Sequence, residues 1–151
     1  MNKRCLVTIV CLALAATSIT AGEISSEAVP LEAEARLCTA VEERLPVGEA
    51  AEFGAGIGTV FCWSKITGAA DSTSITHLWL YSGKEMARVE LPVKSPAWRT
   101  WSSKKILPMW SGNWEVRILD SGGQILRSVT FLIDGLESGN KPADTTKQVG
   151  S

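Results

Sequence analysis

His77 is the chain's one histidine, and with Ser102, Ser103 and Lys104 it supplies the residue types from which a small hydrolase-like enzyme would be built. That chemistry needs the imidazole within hydrogen-bond reach of a hydroxyl or amine, at a cleft where a substrate can enter. Neighbours along a strand project to opposite faces, so Ser103 and Lys104 would not meet each other. Among other catalytic patterns, no GxSxG elbow, HExxH helix or phosphate-cradling glycine loop occurs. The run Gly54, Gly56, Gly58 is followed by no helical pattern and reads as a bend. We therefore expect no enzyme and no cofactor, with the His77 and Ser102/Ser103/Lys104 hydrolase as the alternative.

The same block carries a second chemistry. Four of the six tryptophans fall between Trp98 and Trp114, and Trp98, Arg99 and Lys104 crowd one short segment. An aromatic ring beside a cation stacks on a sugar or an exposed peptide and holds an anionic group. Period-two alternation puts Trp98, Thr100, Ser102 and Lys104 on one face and Arg99, Trp101 and Ser103 on the other. With Trp101 pointing inward, Trp98 and Lys104 form an exposed binding face, with Arg99 and His77 as further candidates. The competing reading is architectural: tryptophans fill the core, and the stem of Arg99 covers it.

Cysteine usage depends on compartment. Asn2, Lys3 and Arg4 precede an uncharged apolar run from Cys5 to Ala16 and a small polar stretch ending at Ala21 and Gly22, the pattern of a secretory signal. Cleavage is expected after Ala21, with Ser18 as the alternative, which makes the product periplasmic or extracellular. The apolar run is too short for a transmembrane helix, so no membrane span is expected in the mature protein. Export leaves Cys38 and Cys62, an even pair outside the cytoplasm and a disulfide candidate. Two buried free thiols are the alternative; a lone pair with no CxxC lacks the ligand count for a metal site.

The elements that must position these residues are strands. Residues 22–35 read as an exposed acidic leader and 135–151, rich in Gly, Ser, Thr and Lys, as a disordered tail. Between them, 36–134 shows alternation over Ala35 to Glu43, Gly58 to Thr67, Thr73 to Tyr81, Glu85 to Val93, Trp98 to Ser103, Trp114 to Asp120 and Gln124 to Asp134. Turn residues separate these runs, and no amphipathic helix of ordinary length intervenes. The chain is therefore expected to be all-β, an antiparallel immunoglobulin-like β-sandwich of about seven strands, with a small β-barrel as the alternative. Trp79 and Trp114 lie among apolar neighbours of the same parity and are expected in the core.

Three segments carry a family resemblance: Ile75 to Lys84 with Thr76, His77 and Trp79; Ala97 to Pro108 with Trp98, Arg99, Trp101, Ser102, Ser103 and Lys104; and Ser111 to Leu126 with Gly112 and Trp114. In this order they resemble the bacterial domain-of-unknown-function family 2914, over about residues 36–134. The resemblance implies an exported β-rich domain, sometimes appended to other envelope modules, and supplies no reaction. Fifteen basic against sixteen acidic residues, a net charge of −1, argue against a nucleic-acid partner. The expected role is a non-catalytic recognition or assembly module of the bacterial envelope, with a protein or polysaccharide partner. Composition leaves the oligomeric state open.

Overall fold

The computed structural model describes residues 29–135. The signal segment, leader residues 22–28 and tail residues 136–151 lie outside the described residues. The described chain forms ten strands and no helix: β1 Glu32–Cys38, β2 Ala40–Glu42, β3 Leu45–Val47, β4 Glu52–Gly54, β5 Thr59–Thr67, β6 Thr73–Tyr81, β7 Lys84–Val93, β8 Ala97–Lys105, β9 Gly112–Asp120 and β10 Ile125–Asp134. Six of the seven long strands follow the runs of alternation; the first run, Ala35 to Glu43, is split between the end of β1, β2 and the hairpin turn. The three additional strands, β2, β3 and β4, have three residues each, too few to show a period.

The long strands divide into two sheets. One has the order β1-β5-β8, and the other β4-β10-β9-β6-β7. Every neighbouring pair is antiparallel except β4 with β10. Neither sheet closes into a barrel. The orders β1-β5-β8 and β10-β9-β6-β7 correspond to strands A-B-E and G-F-C-C′ of an immunoglobulin-like sandwich.

Inward parity fills the space between the sheets. Val60, Cys62 and Ile66 of β5 face Ile75 and Trp79 of β6 and Trp114, Val116 and Ile118 of β9, all buried. Trp79 and Trp114 are 0% and 1% exposed, and both rings pack on Phe131 with centroids 6.3 and 5.8 Å away, so both are core residues as expected. Turns carry the chemistry the sequence advertises. Ser82 and Gly83 take positive φ between β6 and β7, and the Asp120 carboxylate accepts the Gly122 and Gln124 amides at 2.8 Å between β9 and β10.

Two expectations change. β1 begins at Glu32, so Glu32 to Ala35 of the supposed leader pair with Ser64 to Thr67. Ala33 and Ala35 alternate onto the core side, an apolar period too weak to register among glutamates. The candidate disulfide gives way to two buried free thiols. The register explains this: Cys38 pairs with Phe61 and Cys62 with Leu37, so the two cysteines have opposite parity and point to opposite faces of their sheet.

Candidate functional site

Strand β8 divides its residues between two environments. Thr100 and Ser102 are buried, Arg99, Trp101, Ser103 and Lys105 are exposed, and Trp98 and Lys104 are half-buried. This reverses the expected facing: Trp101 is 38% exposed instead of inward, and Trp98 packs partly against the core instead of standing free. The cause is a polar network inside the sandwich that claims the parity of Ser102.

His77, on β6, is fully buried and reaches across to the opposite sheet. Its Nε2 lies 2.8 Å from Ser64 Oγ of β5 and its Nδ1 2.8 Å from Ser102 Oγ of β8. Trp79 Nε1 donates to the same Ser102 Oγ at 3.0 Å. A neutral imidazole has one donor and one acceptor nitrogen, so the two serines play complementary roles toward it. Burial lowers the His77 pKa to about 4, which keeps the ring neutral at ordinary pH. Beside the network, burial pushes the Cys62 thiol up to about 12, opposed by a hydrogen bond with the Ser64 side chain. No buried side-chain nitrogen or oxygen among the described residues lacks a partner. The network ties β5 and β8 of one sheet to β6 of the other, at the cost of placing four polar groups where apolar ones would pack.

His77 and Ser102 therefore meet, as the hydrolase reading required, but in an enclosed setting without a cleft. Ser103 faces solvent, and the Lys104 ammonium sits 5.3 Å from the centre of the Trp110 ring. These groups do not converge on a reacting atom. Among the described residues no three His, Cys, Asp or Glu side chains gather in a way that could hold a metal ion.

The opposite environment is built with help from the β2–β3 hairpin. Glu43 and Arg44 form its two-residue turn, with φ of 48° and 65°. Such turns favour Asn and Gly, and left-handed backbone at other residues costs on the order of 1–3 kcal/mol each. Contacts to the sheet hold the turn in place. The Arg44 carbonyl accepts the Trp63 indole N–H at 2.9 Å, and an Arg44 Nη donates to the Arg99 carbonyl at 3.1 Å. Trp63, whose parity points away from the core, is thereby covered to 4% exposure. At the hairpin base, Gly48 has φ +69°, and a Cβ there would collide with the Thr39 side chain.

This anchoring carries the Arg44 guanidinium to 5.2 Å from the centre of the Trp98 ring. Arg44, Trp98, Arg99, Thr100 and Trp101, with Pro92 of β7, line an open groove of about 430 Å³. It lies along β8, the edge strand of its sheet. Arg36, Arg88 and Arg117 are engaged by Glu34 and Glu49, Glu85 and Glu115 respectively. No carboxylate pairs with Arg44 or Arg99 among the described residues.

Of the residues singled out from sequence, Trp98 and Arg99 reach this groove, Lys104 lies apart from it over Trp110, and His77 belongs to the core. Sequence reasoning missed Arg44 and Pro92 and assigned Trp101 to the interior. The available signal for Arg44 was a charged pair, Glu43-Arg44, bracketed by Val41, Leu45 and Val47, without the glycine or asparagine that marks most tight hairpins.

No curated protein matches the chain. Residues 72–133 match the model of a family described as a protein of unknown function, DUF2914. The matched stretch contains His77, Trp79 and Ser102 of the buried network and Pro92, Trp98, Arg99, Thr100 and Trp101 of the groove; Ser64 and Arg44 lie before it. Over residues 72–133, the stretch that spans β6 to β9 and most of β10, the chain is similar to the DUF2914 family.

Proposed function

We propose that this protein is an exported, non-catalytic recognition module of the bacterial envelope, and that the groove along β8 is its binding face. The observation that carries the reading is the pairing of an exposed tryptophan, Trp101, with two arginines that no carboxylate among the described residues neutralises, on a lining without an acidic residue. Surface arginines without partners at an aromatic platform are residue types that dominate binding surfaces. Enclosure of His77 supports a structural role for the histidine and Ser102. Export rests on the charged start and apolar run of residues 2–16. The partner is an envelope protein or polysaccharide.

The test is capture of the tagged full chain by isolated bacterial cell envelopes, in parallel with its thermal midpoint. Trp101→Ala and Arg99→Ala are expected to reduce capture while remaining folded at the temperature of the capture. Capture unchanged in both variants would overturn the assignment of the binding face.

A further inference from the structure

Accepting the groove as the recognition face, we propose that its ligand is an acidic glycan, a chain of pyranose rings bearing anionic groups. Three features of the groove select this chemistry. First, the lining residues include two arginines and no acidic residue, so the groove complements negative charge. Arg44 spends one Nη on the Arg99 carbonyl and keeps its other donors, and no side-chain hydrogen bond occupies the Arg99 guanidinium among the described residues. Planar forks of this kind engage carboxylate and phosphate oxygens with two parallel bonds.

Second, the two indoles are used differently. One face of Trp98 is already covered by Arg44, whereas Trp101 is 38% exposed on the groove wall and has no aromatic or cationic partner among the described residues. An apolar C–H face of a sugar lies flat on such a ring, and its ring oxygens and substituents then fall beside the flanking arginines. Third, the groove is a poor receptor for a peptide strand. A peptide would bind β8 by adding main-chain hydrogen bonds to its free edge. Arg44 already occupies the Arg99 carbonyl, and Arg99, Lys104 and Lys105 place charge along that strand, the device by which edges resist pairing. A flexible acidic peptide would also lose more conformational freedom on binding than a chain of rigid rings. The strained Glu43-Arg44 turn fits the same account, because it holds a cation in place before the ligand arrives.

The test uses the full chain with four probes: tri-galacturonate, the same trisaccharide with its carboxyls reduced to alcohols, hexaglutamate, and inorganic phosphate. Binding is followed by tryptophan fluorescence and by the indole N–H signal of Trp101, assigned with Trp101→Phe. Tri-galacturonate is expected to shift that signal and to bind about tenfold or more tightly than the reduced trisaccharide. Affinity should fall with added salt, by about tenfold in Arg99→Ala and Arg44→Ala, and less in Arg99→Lys, which keeps the charge and loses the fork. Hexaglutamate binding at equal strength would overturn the glycan in favour of an acidic peptide. Equal binding of the reduced trisaccharide would overturn the role of charge, and phosphate binding alone would reduce the groove to a simple anion site. Should none of the probes bind while envelope capture still depends on Trp101 and Arg99, the glycan inference fails and the recognition face stands. Loss of that dependence as well would remove both.

Discussion

The two sides of β8 spend similar residues in opposite ways. Inward, Ser102 is surrounded by His77 and Trp79, and every polar atom is matched within the protein. Outward, one and three residues away, Trp101 and Arg99 have no partner for the ring or the guanidinium among the described residues. A satisfied polar network is complete in itself and holds two sheets together, whereas unmatched groups on a rigid edge are available to something else. The comparison teaches that, in this chain, the residues that look most like an active site, His77 and Ser102, are buried in a satisfied hydrogen-bond network. The residues that look like core tryptophan and covering arginine form the surface with unspent bonding capacity.

The strongest way to challenge that division is through the aromatic core beneath the network. Trp79→Ala removes both a buried indole and the donor to Ser102, and Trp114→Ala removes the ring stacked on Phe131. Each is expected to cost about 3–5 kcal/mol in chemical denaturation, enough to prevent folding in a domain of ordinary stability. A variant that unfolds at the parent's denaturant midpoint would contradict the placement of that ring.

His77 gives the next largest effect and has a pH signature. Its ordinary value of 6.5 applies to the unfolded chain and about 4 to the folded one, so below pH 6.5 the unfolded state takes up the proton first. The stability contribution is complete above pH 6.5 and declines as pH falls toward 4, by on the order of 3 kcal/mol. Glu115, held below its ordinary 4.5 chiefly by the Arg117 side chain, adds its own loss only below that value. Denaturation between pH 6.5 and 4.5 therefore isolates the histidine. His77→Leu should cost about 1–3 kcal/mol at neutral pH, through the hydroxyls it leaves unmatched, and should flatten the slope in this window. An equal slope in both proteins would remove His77 as its source.

The cysteines sharpen the picture at smaller magnitude. With both thiols free, Cys38→Ala should cost about 1–2 kcal/mol, short of the roughly 2–5 kcal/mol that follows loss of a native disulfide. Peptide mapping after labelling of unfolded, unreduced protein should find label on both Cys38 and Cys62. Protection of both would restore the bond that the register argues against.

The sequence was most legible where one face of a strand is plainly apolar. Val60, Cys62 and Ile66 on β5, and Trp114, Val116 and Ile118 on β9, announce their parity, and six of the seven long strands and the sandwich follow from such runs. Strand β8 announces nothing of the kind, since each face carries one tryptophan, one serine and at least one basic residue. Its orientation is decided by His77 and Trp79 from another sheet, information that no local pattern contains. The hairpin that delivers Arg44 was hidden for a related reason. Its turn uses residues that disfavour the required backbone and is stabilised by Trp63 and Arg99, partners 19 and 55 positions away. Even parity on β1 and β5 argued for neither fate of the cysteines until the register between those strands was known.

Adjacent residues on β8 allow the division to be tested with the smallest perturbation. Trp101→Ala and Ser102→Ala are compared for thermal midpoint and for capture by bacterial envelopes. The account predicts that Trp101→Ala stays folded at a cost of no more than about 1–3 kcal/mol and loses most of its capture, while Ser102→Ala melts lower and, below its midpoint, is captured like the parent. The reverse outcome, with Trp101→Ala melting lower and binding normally, would contradict it.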